Sequence, residues 1–168
     1  VKAGSCDNSD ISIFSFHPVK HLTTGEGGAI TTNSKAIYEK LLMLRNHGMV
    51  KTPEMKPWGY EMQELGFNYR ITDIQCALGI SQLKKLPAFL KRRCNIAKRY
   101  DEVFRDSIIK SLYSFDGKSS YHLYVVKVDF SKLIISKEEL FSKLKEKSIG
   151  IQLHYIPINK QPYYKSLG

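Results

Sequence analysis

The sequence predicts an α/β protein. Three observations carry that expectation: a strand, glycine-rich turn and strand within residues 10–32, helix starts written as capping boxes at Thr72 and Ser136, and a closing strand, helix, strand pattern over residues 124–156.

Residues 10–16 alternate Ile11 and Ile13 with aromatic neighbours and then reach Pro18, which withdraws a ladder donor; a short buried strand is predicted, with Lys20 on the loop at its end. Gly25-Glu26-Gly27-Gly28 permits positive φ and close backbone approach, and residues 29–32 read as the next strand. Asn33 or Ser34 can cap a helix whose apolar positions Ile37, Leu41 and Leu44 keep helical spacing, with Gly48 as terminator. Residues 49–69 hold prolines, glycines and aromatics without a sustained period. They read as a long ordered loop in which Trp58, Tyr60 and Phe67 want burial. Thr72 with Gln75 opens a helix to about Leu86, where Pro87 breaks or restarts it. A second helix then carries Phe89, the stem of Arg93, Ile96, Tyr100 and Val103 on one face. After a turn at Gly117-Lys118-Ser119-Ser120, the alternation of Tyr124, Val126, Val128 and Phe130 predicts a strand. Ser136 with Glu139 starts a helix through Leu144 towards Gly150, and residues 151–156 would close a small βαβ unit. No repeat or low-complexity tract interrupts this order. The first two strands call for neighbours that the sequence does not supply, so a fragment of a larger fold is expected.

With 42% hydrophobic and 25% charged residues in 168, the chain has the composition of one globular domain or part of one, not of a disordered segment. Cys6, Cys76 and Cys94 are odd in number and lack any metal-binding or redox spacing, which fits a reducing cytoplasmic setting. No run reaches the roughly 18 apolar residues of a membrane span, and residues 1–10 do not resemble an export signal. The net charge of +10 suits an anionic small molecule, a nucleic acid or a membrane surface. Its tightest cluster, Lys91, Arg92 and Arg93, reads first as a solvated helix face. A noncatalytic basic fragment that binds nucleic acid or another polyanion is the alternative to an enzyme.

A lysine on a loop, after a buried strand and before a glycine-rich turn, has the placement of a Schiff-base nucleophile, and Lys20 meets it. As one basic residue among 26, it does not stand out by itself. His17 and His21 lie four apart, but Pro18 opposes the helix that would join them and no third ligand is near, so no metal is expected.

The strings Ser15-Phe16-His17-Pro18-Val19-Lys20, Thr23-Thr24-Gly25-Glu26-Gly27-Gly28 and Gly66-Phe67-Asn68-Tyr69-Arg70-Ile71-Thr72-Asp73 together resemble the sugar aminotransferases of the DegT/DnrJ/EryC1/StrS family. The resemblance runs over residues 10–164. It implies the type I, aspartate aminotransferase-like fold of pyridoxal 5'-phosphate enzymes. Residues 1–70 would be the end of the large cofactor-binding domain, 71–110 connecting helices, and 111–168 a small, incomplete C-terminal α/β domain. It further implies Lys20 as the catalytic lysine joined to the cofactor, Ser15 on the cofactor phosphate, and Asn68 on the phosphate of a neighbouring subunit's cofactor, hence a homodimer. Arg70 would face the nucleotide diphosphate of the substrate, and His154 and Tyr155 the sugar. A second histidine that many members carry is Asn159 here. Lysine at position 20 favours transamination over the family's dehydratase branch, which has histidine there. The stretch from Arg45-Asn46-His47-Gly48 to Gly66 most resembles the branch that acts on UDP-4-keto-6-deoxy-N-acetylhexosamine in pseudaminic acid biosynthesis, with glutamate as the expected amino donor. The groups that stack on the pyridine ring, pair with its nitrogen and bind most of the phosphate lie upstream in the family, so this chain by itself is expected to be inactive.

Overall fold

The computed structural model describes residues 2–113 and 116–168. In order, the elements are β1 (Ser12–Ser15), β2 (Gly28–Thr31), α1 (Lys35–Arg45), β3 (Met49–Val50), β4 (Glu61–Met62), α2 (Asp73–Phe104), β5 (Ile109–Ser111), β6 (Val126–Val128), α3 (Lys137–Glu146) and the single turn α4 (Pro162–Lys165). The strands form three antiparallel pairs, β1 with β2, β3 with β4 and β5 with β6. The chain divides into two compact units, Val1–Arg99 with Asp116–Tyr124, and Tyr100–Phe115 with Val125–Gly168.

In the first unit β1 and β2 are joined in the register Ser12 to Thr31 through Ser15 to Gly28. The alternation predicted for β1 holds, but its apolar face is not buried. Ile13 is 72% exposed and sits across from Ile30, also exposed, while Phe14 turns the other way. Each strand has a single partner among the described residues, and the isoleucine face stays exposed there. Helix α1 starts as expected, with Ser34 Oγ accepting the Ile37 N–H, and its inner side carries Ile37, Leu41 and Leu44 half-buried. It ends with His47 and Gly48 both at positive φ and the Gly48 N–H on the Met43 carbonyl, the bond that closes a Schellman turn. A side chain at Gly48 would run into the Glu64 carbonyl, so glycine is required there for space as well as for φ.

The long ordered loop expected after α1 is closed by a short ribbon, in which Met49 and Val50 pair with Met62 and Glu61. Its aromatics depart from expectation: Trp58, Tyr60 and Phe67 are exposed. Lacking apolar surface to enter, Phe67 stacks on Tyr69 at 5.1 Å, and Trp58 lies under the Lys56 ammonium at 5.7 Å.

The connecting helices are one. Helix α2 runs unbroken through Pro87. The inward stripe of half-buried Gly79, Gln82, Leu86, Leu90 and Arg93 with buried Ala97 keeps its spacing across the proline, while Pro87 and Leu83 are exposed. The Leu83 carbonyl loses its helical donor on the exposed side of the helix, where solvent can reach it. The N-terminal capping box is complete: Thr72 Oγ1 accepts the Gln75 N–H at 3.3 Å, and Gln75 Oε1 accepts the Thr72 N–H at 3.0 Å.

In the second unit β5 and β6 pair from Ile109–Val128 to Ser111–Val126, and Ser136 Oγ caps α3 through the Glu139 N–H at 3.1 Å. Glu139 turns to Lys143 at 3.0 Å instead of reaching back to Ser136. Residues 151–156 form no strand, so the βαβ closure is not made. Their alternation marks two faces but supplies no neighbour: β6 is paired with β5, and every residue from 151 to 168 is exposed.

Candidate functional site

Lys20 lies on a loop that begins where β1 ends and is pinned at both sides. The Phe16 N–H bonds the Gly27 carbonyl at 2.9 Å, the Thr24 N–H bonds the Phe16 carbonyl at 3.0 Å, and the Lys20 N–H bonds the His17 carbonyl at 2.9 Å. Thr23 Oγ1 adds a bond to the Phe16 carbonyl, and Thr24, only 4% exposed, donates through Oγ1 to the Glu26 carbonyl at 2.6 Å. His17 Nδ1 accepts the Val19 N–H at 3.4 Å, with Nε2 3.9 Å from a Glu26 carboxylate oxygen. The backbone about Lys20 is thus fixed by seven neighbouring residues. The half-buried Lys20 amine itself makes no hydrogen bond or ion pair among the described residues.

Ser15 stands at the start of this loop. Its Oγ accepts the His17 N–H at 3.4 Å, which leaves the hydroxyl proton for another acceptor. The glycine-rich turn is seated on the start of α2: Gln75 Nε2 donates to the Glu26 carbonyl at 2.9 Å, and a Cβ at Gly79 would be 3.0 Å from the Thr24 methyl. Because residues 66–72 lead directly into α2, this contact joins the second motif to the turn beside Lys20.

Asn68 and Arg70 form one cluster. Arg70 Nε donates to Asn68 Oδ1 at 2.9 Å and Nη1 to Asn46 Oδ1 at 3.0 Å. The strand-like run Phe67 to Tyr69 lies along the end of α1, where the Phe67 and Tyr69 N–H groups take up the Leu44 and Arg45 carbonyls that the helix leaves open. The two Asn68 amide protons and three of the five guanidinium protons of Arg70 have no acceptor among the described residues. The cluster is exposed, cationic and held in one orientation, an arrangement suited to oxyanions. His154 and Tyr155 belong to the other unit, exposed in residues 151–157 with ring centroids 3.7 Å apart.

Sequence reasoning missed Asn46, Thr24, Gln75 and Glu26. Gln75 was legible as a cap, but its second bond, to the turn, was not. Asn46 lies in the run Arg45-Asn46-His47-Gly48, where nothing signals that its amide would hold Arg70. His17 and His21 do not converge: His21 Nε2 is bonded to the Ser120 carbonyl at 3.2 Å, away from the His17–Glu26 pair. Among the described residues no group of three potential metal ligands occurs, and all three cysteines are free.

Comparison with known proteins bears on all of these motifs at once. A profile described as the DegT/DnrJ/EryC1/StrS aminotransferase family matches residues 2–168. The UDP-4-amino-4,6-dideoxy-N-acetyl-beta-L-altrosamine transaminase of Campylobacter jejuni is 45% identical over 168 residues, covering 99% of this chain and 43% of that protein. The structure of Helicobacter pylori PseC, an aminotransferase involved in pseudoaminic acid biosynthesis, superposes with a TM-score of 0.84 at 37% identity, over 95% of this chain and 42% of its own. Streptococcus pneumoniae Spr1654 in its PLP form gives 0.82 at 32% identity, over 98% and 42%. The chain spans less than half the length of these relatives and has, over that span, the α/β fold of the pyridoxal-phosphate aminotransferases. By sequence and by fold, the chain belongs to the DegT/DnrJ/EryC1/StrS aminotransferase family.

Proposed function

We propose that this chain supplies the catalytic-lysine side of a pyridoxal-phosphate-dependent aminotransferase that moves an amino group from an amino acid, glutamate in our reading, to the 4-keto group of a nucleotide-linked deoxysugar. The observation that carries it is Lys20: an unengaged, half-buried amine on a loop whose backbone is bonded at both ends, in a chain that matches an aminotransferase family along its length. Identity to the Campylobacter transaminase supports a UDP-linked 4-keto-6-deoxy-N-acetylhexosamine as the sugar, and in our reading the reaction is a cytoplasmic one. Residues 1–70 would then contribute to the cofactor domain, 71–110 to the connection and 111–168 to the small domain.

The residues present fit the cofactor. Lys20 offers a primary amine for an aldehyde, and Ser15 and Asn68 offer unspent donors for a phosphate. When bound, pyridoxal phosphate supplies the carbon that carries the amino group and a ring that takes up electrons. Lys20 would hold the cofactor through its amine, and its Nζ, when free, would serve as the proton carrier of the site. The Ser15 hydroxyl orients the phosphate by donating to it. Asn68, with Arg70 braced on Asn46, acts across a homodimer interface, the amide on the partner site's phosphate and the guanidinium on the substrate diphosphate. His154 and Tyr155 contact the sugar.

The test is chemical. The purified chain is incubated with pyridoxal phosphate, reduced with borohydride and mapped by peptide mass. We expect the pyridoxyl group on Lys20 well ahead of the other lysines, and none at that position in Lys20→Arg. Labelling spread evenly over the lysines would overturn the assignment. Mixing in the part of the Campylobacter relative that this chain does not span, with the UDP-4-keto sugar and glutamate, should then yield 2-oxoglutarate only when Lys20 is present.

A further inference from the structure

The segment 116–124 follows α2 in sequence but belongs to the same compact unit as the Lys20 loop. Four consecutive carbonyls of this segment are taken up by side chains from two places. Cys94 Sγ lies 3.7 Å from the Ser119 oxygen, His21 Nε2 lies 3.2 Å from that of Ser120, and Arg93 Nη1 donates at 3.3 Å to both Tyr121 and His122. The His21 ring also meets the His122 ring at 5.1 Å between centroids. A carbonyl only accepts, so His21 must carry its proton on Nε2. His21 is bonded in sequence to Lys20. The fixed points are thus Arg93 on a rigid helix, the strap 119–122, the His21 ring and then the catalytic-lysine backbone. Beside the Arg93 joint lies a cavity of about 150 Å³ lined by Arg93, Ile96, Ala97, Tyr121, His122 and Tyr124, and Ala97 is the one fully inward apolar residue of the described helix.

We propose that Arg93 is a positioning residue for Lys20, acting through strap 119–122 and the His21 ring; this rests on the reading of Lys20 given above. Arg93 Nη1 donates to two successive carbonyls from a rigid, planar guanidinium; an apolar side chain has no donor to offer, and a lysine ammonium has donors without that fixed plane. Released from it, the strap loses its hold on His21, and the Lys20 amine samples a wider range of positions relative to a bound aldehyde.

The experiment compares the unsubstituted chain with Arg93→Ala, Arg93→Lys and His21→Phe. It measures the rate of pyridoxyl labelling at Lys20 relative to the other lysines of the same molecule, and the tautomer of His21 by nitrogen-detected NMR. In Arg93→Ala we expect Lys20 labelling to fall about tenfold, in line with the rate sensitivity of reactions to misplaced groups, and His21 to lose its Nε2–H preference. Labelling of the other lysines should not change. Added guanidinium, which fits the space left by the truncated side chain, should restore both readouts, and Arg93→Lys should fall between. His21→Phe keeps the ring contact but deletes the Ser120 bond. It should reproduce the labelling loss without response to guanidinium, and it decides the matter if Arg93→Ala does not fold. Unchanged Lys20 labelling in the folded variants, with His21 still Nε2-protonated in Arg93→Ala, overturns the role of Arg93 alone. Lys20 labelling no faster than other lysines in the unsubstituted chain overturns the reading of Lys20 and this inference together.

Discussion

At the scale of single residues, much of the candidate site is backbone held by side chains, and Asp116 does this for the start of the strap. Its Oδ1 accepts the Lys118 N–H at 2.9 Å, the Ser119 N–H at 3.0 Å and the Tyr121 hydroxyl at 3.2 Å. The Ser119 and then the Lys118 N–H bonds hold its carboxyl below the usual carboxylate range, against a smaller opposing effect of desolvation. A group whose pKa is lower folded than unfolded adds stability at pH above its unfolded value, near 4 for aspartate, and loses it as pH falls through the folded value. The melting temperature of the unsubstituted chain should therefore drop more steeply below about pH 4 than that of Asp116→Asn, which keeps an acceptor oxygen but cannot titrate. Parallel acid profiles for the two proteins would mean that the turn is formed regardless of the charge. Roles such as these were only partly legible in the sequence. Lys20, Ser15, Asn68 and Arg70 stood out because neighbouring residues formed recognisable strings, whereas Asn46, Arg93 and Asp116 act through partners 2 to 29 positions away that no local pattern announces.

At the scale of elements, local chemistry was read well and pairing poorly. Ser34, Thr72 and Ser136 start their helices as expected because a cap is settled within three residues. The two- and three-residue strands β3, β4 and β5 carry too few side chains for any period, and residues 151–156 carry the period without a partner. Pro87 does not end the helix: it lies on the exposed side, where the carbonyl left without a donor is open to solvent and the helix can accommodate the ring. Its effect can be measured. Pro87→Ala restores a donor to the Leu83 carbonyl without disturbing the half-buried stripe. It should raise stability by about 1 to 3 kcal/mol, as the helix-interior cost of proline indicates, with an upward shift in the urea midpoint and no change of helical circular dichroism beyond one turn. If the variant were less stable, α2 would depend on the shape proline imposes, and two helical segments meeting at residue 87 would describe it better.

At the scale of the whole molecule, the small amount of inward apolar surface outweighs any single contact. Among the described residues only Ala97 is a buried hydrophobic residue, while Ile13, Ile30, Ile74, Leu78 and Leu83 are exposed. No helix among the described residues is long and apolar enough to cross a membrane, so these faces do not read as a span. The relatives are more than twice as long as the part matched here. The cross-strand pair Ile13 and Ile30 gives the sharpest test, because both residues lie on one face of the β1–β2 ribbon and neither is covered. Exposed positions tolerate substitution within about 0.5 kcal/mol, whereas losing a buried isoleucine side chain costs about 2 to 5 kcal/mol. Ile13→Thr with Ile30→Thr keeps β-branched strand formers and removes apolar area. In the chain alone it should leave the urea midpoint nearly unchanged. In the mixture with the unspanned part of the Campylobacter relative it should weaken co-elution and Lys20 labelling together. A large loss of stability in the chain alone would mean that this face is already buried in solution, by self-association, and sedimentation at several concentrations would then reveal a species larger than the monomer.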